Sequence, residues 1–297
     1  MANNIEIGSP TRTRAIMEAY GLHFKKSLGQ NFLTDINILR KIVTSAEITT
    51  ADDVIEIGPG IGALTEQLAQ NAHQVLALEI DQRLIPVLGE TLAPYDNVTV
   101  VNQDVLQADL SQLVATHFTG DRPLKVVANL PYYITTKIIM NLLDSGVALD
   151  KIVIMVQKEV ADRLAATPQT KDYGSLSVAV QYAMDVQTAF IVPKTVFVPQ
   201  PKVDSAIAVL TRKTEARVQP QDESHFRTLV KGSFMHRRKS LWNNLQGLYG
   251  KDADVKAKMQ TALTKAEIAP SVRAEALTVE DFIRLSDCLL AAGVIAK

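Results

Sequence analysis

An asparagine, a proline and two adjacent tyrosines follow an apolar run in VVANLPYYITTK, residues 126–137. A plain loop would favour Gly, Asp or Ser here. The Asn129-Leu130-Pro131-Tyr132 segment instead suits the grip of a flat, polar-edged group. An exocyclic aromatic amine is a poor nucleophile, because its lone pair is delocalised into the ring. Two acceptors aimed at its hydrogens would favour a pyramidal nitrogen with the lone pair free. The Asn129 side-chain carbonyl and the Leu130 backbone carbonyl are candidates for that work. Pro131 lacks an N–H and fixes its own φ, which stiffens the turn. Tyr132 offers a flat face. No general base is required before attack, since the proton turns acidic only once nitrogen has gained its new group. Extruding a base from its stack costs roughly a few kcal/mol, and one base–aromatic stack returns roughly 1–3 kcal/mol. A second ring would tip the balance, and Phe197 on the proline-stiffened TVFVPQPKVDS segment (195–205) is the candidate. Tyr133 is expected to pack in the core.

A second group of residues points to a bound nucleoside. In EIGPGIGALTE (56–66), Gly58, Gly60 and Ala63 satisfy G-x-G-x-x-G/A between a predicted strand and a predicted helix. Glycines there let the backbone turn tightly and approach a ligand. The pattern alone fits dinucleotides as well as adenosyl ligands. Glu79, about 20 residues on, could accept two hydrogen bonds from a ribose diol. Asp104 could accept from an adenine amino group, or could cap a helix. Asp81 and Gln82 are better placed than Glu79 to cap the next helix. A dehydrogenase would need a proton donor or acceptor beside its substrate, and the sequence offers no obvious one.

These residues fall at the ends of predicted strands. DVIEIG (53–58), VLALEI (75–80), VTVVNQD (98–104), KVVANL (125–130) and KIVIMVQ (151–157) are short apolar runs separated by helical patterns. Such alternation predicts a parallel sheet covered on both faces, and open sheets of this kind bind ligands at the carboxyl ends of their strands. Beyond residue 185 the alternation stops. FIVP and VDSAIAVLTRK (203–213) read as an antiparallel pair at the sheet edge. From 224 the pattern is helical, with Phe226, Leu229, Val230 and Phe234 on one face, and Thr278 with Asp281 forms a capping box for the last helix. The polar stretch 214–224 predicts a boundary, giving domains 1–214 and 215–297.

The totals exclude several classes. The 297 residues are 47% hydrophobic and 21% charged, as in ordinary globular chains. No apolar run approaches the roughly 20 residues of a membrane span, and the start lacks an apolar stretch of signal-peptide type. The single cysteine, Cys288, excludes an internal disulfide and suits a reducing compartment. The five histidines are scattered without ligand spacing, so no structural metal is expected. A net charge of −1 argues against a uniformly basic nucleic-acid binder. It conceals a local excess, since Arg227, Lys231, Arg237, Arg238, Lys239 and Lys251 fall within an acid-free stretch, 224–251.

Several segments, in order, resemble the small-subunit (16S) rRNA adenine N6-dimethyltransferases. They are KKSLGQNFL (25–33), VIEIGPGIGALTE (54–66), LEID (78–81), NLPYYITT (129–136), VFVPQPKVDSAI (196–207) and FMHRRKSLWNNL (234–245). The glycine loop is shared by many methyltransferases, whereas GQNFL, NLPY and F-x-P-x-P-K-V-D-S together are far more specific. The resemblance implies an α/β, Rossmann-like class I methyltransferase sheet of seven strands, the last antiparallel, with a small all-helical C-terminal domain. It implies S-adenosylmethionine as cofactor and two methyls placed on N6 of each of two adjacent adenosines near the 3′ end of small-subunit rRNA, late in ribosome assembly. Carried over by motif, Asn31, Leu33, Gly58, Glu79, Asp104 and Asn129 would bind the cofactor. Asn129, Leu130, Pro131, Tyr132 and Phe197 would form the target pocket. Arg237, Arg238 and Lys239 would meet RNA phosphates, with Lys25 and Lys26 near the catalytic mouth. A cytoplasmic monomer acting on the small ribosomal subunit is expected, without a membrane or a metal. Lys137 departs from the family pattern, in which a proline commonly follows YITT. The rival readings are a macrolide-resistance type of 23S rRNA methyltransferase and a non-catalytic RNA-binding or transcription factor on the same fold. Complete LGQNFL and PKVDSAI segments oppose the first, and intact Glu79, Asp104 and NLPY oppose the second.

Overall fold

The computed structural model describes residues 5–22, 31–213 and 218–295. The chain divides into two compact units, one of residues 1–161 with 186–212 and the other of residues 162–185 with 213–297.

The first unit opens with helix α1 (Pro10–Ala19), the two-residue strand β1 (Phe32–Leu33) and helix α2 (Ile36–Ser45). The doubly wound part follows as β2 (Asp53–Ile57), α3 (Ala63–Ala69), β3 (Gln74–Glu79), α4 (Ile85–Thr91), β4 (Val98–Asn102), α5 (Leu110–His117), β5 (Leu124–Asn129), α6 (Thr135–Asp144) and β6 (Lys151–Gln157). Helices α7 (Lys158–Leu164) and α8 (Ser175–Ala183) lead into β7 (Met184–Val192), β8 (Phe197–Val198) and β9 (Ser205–Arg212). The seven-stranded sheet has the order β4-β3-β2-β5-β6-β9-β7. Neighbours from β4 to β6 pair parallel, and β9 runs antiparallel to β6 with Ile154 opposite Ala208.

Burial explains this order. Every residue of β2 is buried, as is nearly all of β3, β5, β6 and β9, whereas β4 and β7 at the two edges are only partly buried. Continuous apolar runs belong inside a sheet covered on both faces, and mixed runs belong at its edges. On one face Val54, Val75, Val127, Val153 and Val209 pack with Leu39 and Ile42 of α2 and with Leu64 and Leu68 of α3. Each fully buried side chain of this size contributes roughly 1.5–3 kcal/mol. The chain winds from β2 outward through β3 to β4, then returns to place β5 on the other side of β2. A crevice therefore opens at the carboxyl ends of β2 and β5, where the strand order reverses.

The second unit is helical. It contains α8 with α9 (Glu223–Ser233), α10 (Leu241–Tyr249), α11 (Ala253–Lys265) and α12 (Val279–Ala291). Its core joins Tyr173 and Val178 to Phe226, Leu241, Met259, Phe282 and Leu289, so residues 162–185 cluster with the C-terminal helices. The Thr278–Asp281 capping box is present, with Thr278 Oγ1 accepting from Asp281 N and Asp281 Oδ2 accepting from Thr278 N. Among the described residues no helix is long and apolar enough to cross a membrane, and no group of three or more His, Cys, Asp or Glu side chains could hold a metal ion.

Candidate active site

The glycine loop leaves β2 through two residues in the left-handed region, Gly58 at φ 72° and Gly60 at φ 62°. A β-carbon on Gly60 would lie 2.8 Å from Phe32 Cε1, so this position needs glycine for space as well as for conformation. Glu79, the last residue of β3, turns its carboxylate back on this loop. Its Oε2 accepts from Gly60 N at 3.1 Å and its Oε1 from Asp81 N at 2.8 Å. Burial pushes the Glu79 carboxyl above its ordinary value, opposed by those amide hydrogen bonds. Asp81 takes the capping role expected of it, accepting from Arg83 N.

Across the crevice, β5 ends at Asn129. Its Nδ2 donates to the Asn31 carbonyl at 3.3 Å, which fixes the amide plane and leaves Oδ1 as the end available to a donor. Leu130 is buried and donates its N–H to the Met155 carbonyl at 3.3 Å, tying the turn to β6. The Pro131 carbonyl accepts from Ile134 N and from the Thr135 hydroxyl, which locks the entry to α6 despite Lys137. The Tyr132 hydroxyl meets Ser205 Oγ at 2.7 Å, and burial pushes its phenol upward. That bond anchors the ring's polar tip on β9.

One cavity joins these parts. It is lined by Asn31, Phe32 and Leu33, by Gly58 and Gly60, by Glu79 and Ile80, and by Asn129, Leu130, Pro131 and Tyr132. Asn31, Leu33, Gly58, Glu79, Asn129, Leu130, Pro131 and Tyr132, all singled out in the sequence, are thus brought together. Two others are not. Asp104 folds onto its own turn, accepting from Leu106 N at 2.9 Å and from Gln107 Nε2 at 3.3 Å, and does not line the cavity. Phe197 is 3% exposed and packs in the core under the cavity wall, because β8 pairs antiparallel with β1 and sets Phe197 opposite Leu33. The core position expected for Tyr133 is not found. Its ring is 60% exposed, since the turn after Pro131 directs it outward.

Sequence reading missed Glu56. This acid sits in the middle of β2, is 1% exposed and lines the same cavity. Neither Glu56 Oε2 nor Thr65 Oγ1 reaches hydrogen-bonding geometry with a described group. Burial pushes the Glu56 carboxyl up to about 8; the nearby Thr65 hydroxyl tempers the rise and the charge of Glu79 adds to it. The available signal was a carboxylate within the apolar run that follows Asp53, two residues before the first loop glycine. A cavity holding two buried acids favours a cationic ligand.

In the helical unit, Arg238 and Lys239 are exposed and make no ion pair with described residues. Arg237 differs: its Nε donates to Glu275 Oε2 at 3.0 Å and its Nη2 to the Thr170 carbonyl at 3.2 Å. Lys25 and Lys26 lie outside the described residues.

A doubly wound sheet with antiparallel β9 beside β6, and a glycine loop and an acid at its reversal point, is the architecture of the class I methyltransferases. The model of the family described as ribosomal RNA adenine dimethylase matches residues 21–290, and the chain belongs to that family. Proteins named ribosomal RNA small subunit methyltransferase A are similar along its whole length. That of Ligilactobacillus salivarius (strain UCC118) is 68% identical over 295 residues, 99% of this chain and 100% of the relative. That of Streptococcus gordonii (strain Challis) is 58% identical, covering 95% of this chain and 97% of the relative. Among solved structures, the 23S rRNA methyltransferase ErmE superposes with a TM-score of 0.64 at 28% identity, over 86% of this chain and 98% of its own. A dimethyladenosine transferase from Plasmodium falciparum gives 0.71 at 24% identity, over 88% and 98%, a likeness of fold.

Proposed function

We propose that this protein transfers methyl groups from S-adenosylmethionine to N6 of two adjacent adenosines near the 3′ end of small-subunit rRNA, on a late assembly intermediate of that subunit. The observation that carries the reading is the single cavity joining Gly58 and Glu79 to the Asn129–Tyr132 turn. Membership of the dimethylase family and the small-subunit names of the relatives reported above support it.

The residues present fit the cofactor, which supplies an electrophilic methyl and is itself cationic at sulfur and at its amino group. Glu79 has lone pairs left to accept from a ribose diol while Gly60 and Asp81 hold it in place. Asn31, Leu33 and Gly58 wall the same space. Glu56 carries a buried oxygen with no hydrogen-bond partner among the described residues, and it would receive a cationic donor. Asp104, half-buried past the end of β4, is assigned an adenine amino group. On the substrate side, Asn129 Oδ1 and the Leu130 carbonyl accept from the target amine. Pro131 stiffens the turn and Tyr132 offers its face. Phe197 supports that wall through Leu33. Arg237, Arg238 and Lys239, with Lys25 and Lys26, are assigned to the RNA. The protein acts as a monomer in the cytoplasm.

The test is radiolabelled methyl transfer to unmethylated small subunits beside large subunits, followed by nucleoside analysis. Label recovered as N6,N6-dimethyladenosine from small subunits alone is expected. Label confined to large subunits would move the protein to the 23S-modifying relatives, and no transfer to either would end the enzymatic reading.

A further inference from the structure

The two tyrosines that follow Pro131 part company. Tyr132 lines the cavity and anchors its hydroxyl on Ser205 Oγ at 2.7 Å. Tyr133 turns outward and is 60% exposed. Its phenol makes no hydrogen bond, and its ring no ring contact, with a described residue. A single exposed aromatic side chain is ordinary on a protein surface. Three features set this one apart. It is the next residue after the Asn129–Tyr132 wall of the cavity. Its backbone is fixed, because the Pro131 carbonyl accepts from Ile134 N at 3.3 Å and from the hydroxyl of buried Thr135 at 3.1 Å, which closes the turn around Tyr133. Exposed apolar side chains also recur on the parts that build the site. Ile80 lines the cavity and is 53% exposed, and Val198 and Val203, each 45% exposed, flank the loop leading to Ser205.

We infer that the Tyr133 ring is a stacking platform for the nucleobase next to the target adenine, a subsite separate from the pocket that receives the target. This rests on the rRNA reading above. Extruding one base strips its neighbour of a stacking partner and leaves a flat apolar face in water. An aromatic ring held at the cavity rim replaces that partner. Consecutive Cα atoms lie about 3.8 Å apart and successive stacked bases of one strand about 3.4 Å apart, so adjacent side chains can serve adjacent nucleotides. The closed turn sets the ring in place before RNA arrives, so little backbone ordering opposes the contact. Stacking uses the face of the base and not its edge, so the platform tolerates any base at that position, a methylated adenine included.

Initial rates of methyl transfer to unmethylated small subunits test the platform. Tyr133→Ala should raise KM for the subunits about tenfold, equivalent to about 1.4 kcal/mol, which one base–aromatic stack can supply. Its kcat, S-adenosylmethionine affinity and thermal midpoint should stay at wild-type values. Tyr133→Leu should behave like Tyr133→Ala, and Tyr133→Phe like the wild type, because the ring and not the hydroxyl makes the contact. Small subunits reconstituted with one target adenosine and an abasic nucleotide on its 5′ or its 3′ side give the second measurement. On one of these two substrates, wild type and Tyr133→Ala should have equal KM. A wild-type KM in Tyr133→Ala or Tyr133→Leu, a Tyr133→Phe as impaired as Tyr133→Ala, or a tenfold gap that survives on both abasic substrates would overturn the platform. A fall in kcat at unchanged KM would also overturn it, by making Tyr133 a support for Tyr132. In each of those cases, label placed on small subunits by the wild type leaves the rRNA reading standing. Wild-type protein that places no label there would remove both.

Discussion

Glu56 offers the sharpest test of how the cavity is built. Its carboxyl is pushed to about 8 from an ordinary 4.5 because it lies buried in β2, with the Glu79 charge adding to the rise and the Thr65 hydroxyl opposing it. In the unfolded chain the proton leaves near the ordinary value, whereas in the folded protein it stays until about pH 8. Between those limits the native state binds more protons than the unfolded one, so stability falls as pH rises. The loss is absent below the lower limit and complete above the upper one. At about 1.4 kcal/mol per pH unit it amounts to roughly 5 kcal/mol at most across the window. Glu56→Gln keeps the shape and cannot titrate. The variant should match the wild type near pH 4.5 and exceed its stability by a few kcal/mol at pH 9. The sole tryptophan, Trp242, lies in the helical unit, so fluorescence would follow the wrong part of the chain. Urea-dependent hydrogen exchange of the β2 amides, corrected for the intrinsic pH dependence of exchange, reports the right one. Glu79 is also raised by burial and will give both proteins a residual decline, which makes the difference between the two profiles the decisive quantity. Parallel profiles would refute the reasoning, because they would mean that Glu56 is solvated or already ionised in the native state.

Three further outcomes are expected. Glu79→Ala removes the proposed ribose acceptor and the tie to Gly60 N; two charge-assisted hydrogen bonds of about 1.5–3 kcal/mol each predict at least a 10²-fold loss of S-adenosylmethionine affinity, and calorimetry giving wild-type affinity would contradict the assignment. Asn129→Ala should lower kcat for methyl transfer by about 10²–10³-fold, and near-normal turnover would take Asn129 out of the mechanism. Gly60→Ala forces a β-carbon into a left-handed position 2.8 Å from the Phe32 ring, so a stability loss of about 1–2 kcal/mol with weakened cofactor binding is expected in thermal melts and calorimetry; unchanged values in both would show that the loop and Phe32 move apart freely.

What the sequence revealed and what it hid follow from the range of the interactions involved. The sheet was legible because burial on both faces demands apolar runs such as KIVIMVQ, and the ends of those runs located Glu79 and Asn129 to within a residue. The opposite fates of Phe197 and Tyr133 were not legible. Phe197 is drawn into the core by the pairing of β8 with β1, a contact between segments more than half the chain apart, and no local pattern announces it. Tyr133 reads as a core ring only if the turn continues the strand's alternation, and the Pro131 carbonyl, held by Ile134 N and the Thr135 hydroxyl, breaks that alternation at once. Arg237 hides for a similar reason: beside Arg238 it looks equivalent, and only folding brings up Glu275, which pairs with Arg237 and, among the described residues, not with Arg238. Glu56 is a different case, because its place in an apolar run stood in the sequence and went unread. A carboxylate surrounded by apolar neighbours cannot be stabilising its strand. Such a residue persists only where another demand outweighs the cost of burying it. Here that demand is read from the cavity it lines, where a cation arriving between Glu56 and Glu79 would turn a destabilising acid into a binding group.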